Sequence, residues 1–236
     1  MSLWHILLVK LSIVIPIYNE ETLLSRVLDR VRKLPLEKEL ILVDDCSQDG
    51  TWQILQQEAA KFPADTVILR HEKNQGKGAS IRTGLEHVTG DIVIIQDADL
   101  EYNPEDIPKV IQPIIEDKVK VAYGSRFMGS IKKMRLPNRV ANHILAGLVS
   151  ILYGQKITDE ATAYKAFRTE VIKQIPLTCT RFEFCPEVTA KVLKRGYKII
   201  ETPVNFEART FEEGKKIGWR DFIVAVYILL KYRFTD

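Results

Sequence analysis

The chain has 236 residues, 46% of them apolar and 28% charged, with a formal net charge of +3. That length buries a sizeable core, and the mixture excludes disordered, low-complexity and repeat architectures. The small net charge hides a division: residues 1–118 carry 13 Lys and Arg against 20 Asp and Glu, whereas residues 119–236 carry 21 against 11. The first half therefore suits cations and the second suits an anionic partner such as phosphate or anionic lipid. No basic run with interleaved aromatics, helix-turn-helix or zinc pattern is present, so nucleic acid is not an expected partner.

In chain order, the segment from Leu3 to Tyr18 is the most apolar near the start, but Lys10 interrupts it and Pro16 ends it. It falls short of the roughly 18 to 20 residues a membrane span needs and lacks a small-residue cleavage site. Residues 11–17 read as the first strand, and Leu23 to Leu34 as a helix with apolar residues at helical spacing and Asn19 placed to cap it. Residues 39–45 form a second strand, Thr51 to Phe62 a helix, and residues 66–72 a third strand. A helix is expected after Gly76-Lys77-Gly78 to about Val88, with Gly90 breaking it before a fourth strand that ends at Asp97. Such alternation specifies an α/β fold, a doubly wound and mostly parallel sheet with helices on both faces.

Four polar clusters each follow a predicted strand: Asn19-Glu20, Asp44 to Gly50, Asn74 to Gly78, and Asp97-Ala98-Asp99 with Glu101. In an open parallel sheet those carboxyl ends meet at one crevice, where ligands bind. Carboxylates crowded at a buried strand's exit raise one another's proton affinity unless a cation lies between them. Mg²⁺ or Mn²⁺ is the natural choice, since each takes few protein carboxylates and leaves positions for phosphate oxygens. A metal site beside a phosphorylated substrate is the reading that follows, with a solvated acidic turn as the alternative.

Beyond Lys118 the rhythm weakens. Residues 119–127 read as a strand carrying Arg126 at its end, Gly129 to Pro137 as a mobile loop, Asn138 to Tyr153 as a helix, 161–167 and 198–206 as strands, and Pro186 to Arg195 as a helix. From Ile217 to Phe234 a helix is expected, with nine consecutive apolar residues (Phe222 to Leu230) between Lys215, Lys216 and Arg220 on one side and Lys231 and Arg233 on the other. Too short to span, it fits an amphipathic helix lying in a headgroup region, or one packed on the domain or at an oligomer contact. Cys46, Cys179 and Cys185 are odd in number and lack metal spacing, which points to a reducing, cytosolic compartment. His5, His71, His87 and His143 are scattered and form no metal motif.

The blocks SIVIPIYNE, ILVDDCSQDGT, NQGKGASIRTG, DIVIIQDADLEY, YGSRF, TDEATAYKAFR, FEFCPEVTAKVLKRGY and EGKKIGWRD, in that order, resemble the motifs of family-2 inverting glycosyltransferases. They are most similar to the dolichol-phosphate mannose synthase-like and undecaprenyl-phosphate branch. The resemblance covers about residues 11 to 233. It implies one GT-A domain: residues 11–118 for nucleotide-sugar and metal, 119–210 for the acceptor, and 211–236 as a basic closing segment with an amphipathic helix. It also implies a UDP- or GDP-sugar donor, Mg²⁺ or Mn²⁺, and a polyprenyl phosphate acceptor at the cytosolic, inner face of a membrane contacted peripherally.

By motif match, Pro16, Tyr18, Glu20, Asp45 and Lys77 would contact nucleoside or ribose. Asp97, Asp99 and Glu101 would surround the metal and diphosphate, Arg126 and Arg139 would hold the acceptor phosphate, and Arg209 with Lys215 and Lys216 would close over both substrates. A phosphate monoester is already largely ionised near neutral pH and needs positioning more than deprotonation, a task suited to the arginine fork. Asp159 is the candidate general base if the acceptor is instead a sugar hydroxyl. Related transferases often carry C-terminal spans, so this sequence binds the membrane through its last helix, belongs to a longer chain, or uses a soluble acceptor. Two readings from other classes stand beside these: a phosphohydrolase with Asp97 as nucleophile, and a non-catalytic nucleotide-binding protein.

Overall fold

The computed structural model describes residues 9–209 and 218–235. Seven strands form one sheet in the order β3-β2-β1-β4-β6-β5-β7. They are β1 (Leu11–Ile17), β2 (Lys38–Asp44), β3 (Thr66–Arg70), β4 (Ile92–Ile95), β5 (Val121–Lys132), β6 (Lys165–Arg168) and β7 (Ile199–Glu207). β1 pairs in parallel with β2 and β4, and β2 with β3. Short β6 lies antiparallel between β4 and β5, and β7 runs parallel to β5.

Alternation along the strands builds two cores. Val14, Ile41, Val43 and Val93 face one way, under α3 (Lys77–Leu85), α5 (Leu136–Tyr153), α6 (Thr169–Lys173), α7 (Phe184–Lys194) and α8 (Trp219–Phe234). Ile13, Ile15, Leu40, Leu42 and Ile94 face the other way, under α1 (Leu24–Arg32), α2 (Thr51–Lys61) and α4 (Ile107–Ile115). Period-two side chains on strands buried on both faces produce this division. α1 shows the helical counterpart, burying Leu24, Val27, Leu28 and Val31 as one stripe.

Several expectations change. Asn19 does not cap α1; Leu23 holds that position without a side-chain bond, and Asn19, at φ +52°, accepts instead from the Gln48 amide at 2.8 Å. An Asn tolerates this left-handed backbone, so the residue serves the turn after β1. Gly129 to Pro137 is not a loop throughout: β5 runs to Lys132, paired with Glu207, and α5 begins at Leu136. The strand expected at 161–167 is observed only as Lys165–Arg168, although the Tyr164 carbonyl just before it still accepts from Gly124 N of β5 at 2.8 Å.

Candidate active site

The strand order reverses between β1 and β4, so the crevice opens beyond their carboxyl ends. A first cavity of about 330 Å³ lies there. Pro16, Tyr18, Glu20, Asp45, Lys77, Asp97, Asp99, Glu101 and Arg209, drawn from distant parts of the sequence, all line it. The convergence expected of the strand tips is therefore present.

Each acid has a defined partner. Asp45 anchors the turn before α3: its Oδ1 accepts from Gln75 N at 2.8 Å and meets His71 Nδ1 at 2.7 Å, and its Oδ2 accepts from Gly76 N at 2.7 Å. Gly76 has φ +96°, and a Cβ there would lie 2.4 Å from the Thr180 carbonyl oxygen; one on Gly78 would lie 2.8 Å from the Arg181 carbonyl oxygen. Only glycines permit this approach, which seats Lys77 against the 180–182 segment. Lys77 Nζ reaches Asp97 Oδ1 at 2.6 Å. Burial lowers the Lys77 pKa, but the adjacent Asp97 outweighs it and the net shift is upward.

Asp99 is 6% exposed, and Arg209 clamps it: Nη2 donates to Asp99 Oδ2 at 2.6 Å while Nη1 donates to both Glu20 oxygens at 3.1 Å. Burial, then the charges of Asp97 and Glu101, push the Asp99 pKa up to about 7 despite Arg209. A buried carboxylate with raised proton affinity beside a second carboxylate is the donor set a hard divalent cation relieves. The pair Asp97 and Asp99 thus fits a metal whose remaining positions are filled by a ligand. Glu101 is not gathered with them as a third ligand. Its Oε1 accepts from Arg209 N at 2.7 Å, and among the described residues no group of three or more His, Cys, Asp or Glu is arranged to hold an ion.

A second cavity of about 390 Å³, mostly apolar, shares Lys77, Asp97, Glu101, Arg181 and Phe182 with the first and extends between α5 and α8. Arg126 lines it just where the β5–β7 register slips between Ser125 and Ser130; such irregularities re-aim side chains near sites. Its guanidinium is not free. Nε and Nη2 donate to Asp159 Oδ2 and Oδ1, each at 2.7 Å, and the Arg126 amide donates to Oδ2 at 2.9 Å. Asp159, wholly buried, is thereby occupied by the arginine and does not stand as an open base. Glu201 fixes the same turn, accepting from Thr158 N at 2.7 Å and Asp159 N at 2.9 Å. Arg139 is exposed on α5 and lines neither cavity. Lys215 and Lys216 lie outside the described residues.

Three residues at these cavities escaped the motif reading. Arg181 and Phe182 line both, and Glu160 lines the second. Phe182 opens one matching block and Glu160 stands inside another beside Asp159, but neither is given a role there, and Arg181 lies just outside the blocks.

Residues 12–176 match the model of the family described as glycosyl transferase family 2. The chain belongs to glycosyl transferase family 2. It is 29% identical over 232 residues to a dolichol-phosphate mannosyltransferase of Pyrococcus furiosus, covering 94% of this chain and 64% of that one. It is 31% identical over 210 residues to a UDP-N-acetylglucosamine–dolichyl-phosphate N-acetylglucosaminyltransferase of Methanococcus voltae, covering 81% and 83%. The chain thus spans just under two thirds of the Pyrococcus protein. Among solved structures, the glucosyl-3-phosphoglycerate synthase of Mycobacterium tuberculosis in complex with Mn²⁺, UDP and phosphoglyceric acid superposes with a TM-score of 0.72 at 20% identity, over 97% of this chain and 80% of that one. This family-2 chain therefore has the GT-A fold.

Proposed function

We propose that this chain is a metal-dependent inverting glycosyltransferase that moves a sugar from a UDP- or GDP-sugar to a polyprenyl phosphate at the cytosolic face of a membrane. The observation that carries the reading is the joint lining of one cavity by Glu20, Asp45, Lys77, Asp97 and Asp99, with an apolar second cavity opening from it. Relatives named as dolichyl-phosphate transferases support the acceptor class, and the Mn²⁺ and UDP complex of the structural neighbour supports the cofactor.

Within that reading the nucleotide occupies the first cavity between the β1 and β4 tips. Asp97 and Asp99 hold Mg²⁺ or Mn²⁺, which when bound supplies a Lewis acid to the diphosphate leaving group. Lys77 and Arg209, released from their carboxylates, turn their charge to phosphate oxygens. The ionised acceptor phosphate attacks the anomeric carbon and needs no base. Arg126, already neutralised, shapes the acceptor cavity with Asp159 rather than offering a free fork. Glu101 holds the Arg209 backbone, and Arg139 meets anionic headgroups from the surface.

Membrane contact is carried by two neighbouring helices. α5 and α8 are joined by the bond from Tyr153 Oη to the Leu229 carbonyl at 2.7 Å, and they expose Val140, Ile144 and Ile151 with Ile223, Tyr227 and Phe234. Arg220, Lys231 and Arg233 accompany them on α8. An apolar face bordered by cations fits an anionic interface. Among the described residues no helix is long and apolar enough to cross a membrane.

The test is transfer from UDP- or GDP-sugars with Mn²⁺ to a polyprenyl phosphate in anionic vesicles, with flotation run in parallel. Formation of a glycosyl phospholipid and co-flotation are expected. In Ile223→Asp/Tyr227→Asp, the vesicle-bound fraction should fall about tenfold with melting temperature unchanged, since these side chains are 54% and 61% exposed. Turnover on a soluble sugar without vesicle binding would refute the lipid acceptor.

A further inference from the structure

We propose that Glu160 is a sugar-recognition residue, its carboxyl group binding a hydroxyl of the donor hexose in the second cavity. The inference rests on the donor reading above. Glu160 has no accessible surface, and neither Oε1 nor Oε2 has a hydrogen-bond partner. The neighbouring polar groups have other partners, although Lys165 and the Thr189 hydroxyl also favour the Glu160 carboxylate. Lys165 Nζ donates to the Glu160 backbone carbonyl at 2.6 Å and sits 3.7 Å from the Tyr123 ring centroid. The Thr189 hydroxyl is shared between Tyr123 at 3.1 Å and Lys165 at 3.4 Å.

A buried acid without protein partners costs a fold stability, and such a group calls for a functional role, a bound ligand or an ordered water to complete it. The adjacent Asp159 is equally buried but has both oxygens taken by Arg126. The two consecutive acids therefore have separate tasks.

Position selects the ligand. Glu160 lines the second cavity, which joins the first along Lys77, Asp97, Glu101, Arg181 and Phe182. With a nucleoside diphosphate in the first cavity and its diphosphate at Asp97 and Asp99, the attached sugar must project across that shared wall. A hydroxyl both donates and accepts, so it satisfies a carboxyl group in either protonation state. A phosphate monoester would meet like charge from the ionised form. Burial raises the Glu160 pKa, with Lys165 and the Thr189 hydroxyl opposing the shift and Asp159 adding to it, and the neutral form this favours suits hydroxyl pairing.

The test is calorimetric titration of the full chain with Mn²⁺ and, separately, UDP, GDP, UDP-glucose, UDP-N-acetylglucosamine, GDP-mannose and decyl phosphate. The wild type should bind one nucleotide-sugar more tightly than its nucleotide. In Glu160→Ala that sugar increment should fall by about tenfold with nucleotide affinity unchanged, and Glu160→Gln should retain most of it. Glu160→Met, which removes the unpaired acid, should melt at a higher temperature than the wild type while losing the same increment, so the result does not depend on the alanine variant folding. Equal losses for nucleotide and nucleotide-sugar, no loss at all, or a loss confined to decyl phosphate would overturn the assignment. A wild type that binds both nucleotides but gains nothing from the sugar would also overturn it, whereas one that binds neither removes the donor reading itself.

Discussion

Asp99→Asn is expected to lower kcat for glycosyl transfer by about 10³-fold with the fold retained, because the leaving diphosphate loses the charge stabilisation organised around that carboxylate. The substitution is isosteric and leaves Arg209 its two bonds to Glu20. A pH signature should accompany it. The folded-state pKa of Asp99 stands near 7, above the ordinary 3.8, so the native protein holds a proton that the unfolded chain releases. Metal-free wild type therefore loses stability from this group as pH rises from about 4 to about 7. Asp99→Asn should lack that component in pH-dependent melting. For the same reason the wild type should bind Mn²⁺ more weakly as pH falls below about 7, where proton and metal compete. Unchanged turnover in the variant would refute the role given to Asp99.

Arg126→Ala is expected to destabilise the protein by about 3–5 kcal/mol, more than an exposed phosphate-binding arginine would. Asp159 is completely buried and takes two guanidinium bonds and one amide bond from Arg126, and the guanidinium carbon lies 5.0 Å from the Phe206 ring centroid. Removing the arginine leaves an uncompensated carboxylate and a void in the second cavity. Asp159→Asn should cost less, because an amide keeps one acceptor for the guanidinium. Chemical denaturation measures both, and a cost below about 1 kcal/mol for Arg126→Ala would show the pair to be peripheral. Activity lost in this variant should accordingly be read beside its stability rather than as an acceptor contact alone.

The first half of the chain was legible because its polar clusters are local to strand ends. β1 to β4 have apolar runs bounded by polar turns, and the residues in those turns face one crevice wherever the strands are parallel. The second half was less so. β6 has four residues and is antiparallel, so neither its length nor its direction is written in its own apolar pattern. The Arg126 and Asp159 pairing spans 33 residues, and no spacing rule foretells it. The sequence offers Asp159 as a base only for a hydroxyl acceptor and leaves Glu160 unremarked; burial and hydrogen-bond accounting reverse their prominence. Arg139 illustrates the opposite limit, a basic residue between the matching blocks that the helical phase of α5 leaves at the surface.

The measurement that tests the central claim most directly is calorimetric titration of UDP and of GDP into the wild type and an Asp97→Asn/Asp99→Asn variant, each with Mn²⁺ and with chelator at pH 7.5. One nucleotide should bind the wild type with Mn²⁺ at least tenfold more tightly than with chelator, and the double variant should lose that gain. Binding of neither nucleotide, or equal binding with and without metal in both proteins, would contradict a site built from strand tips around a cation.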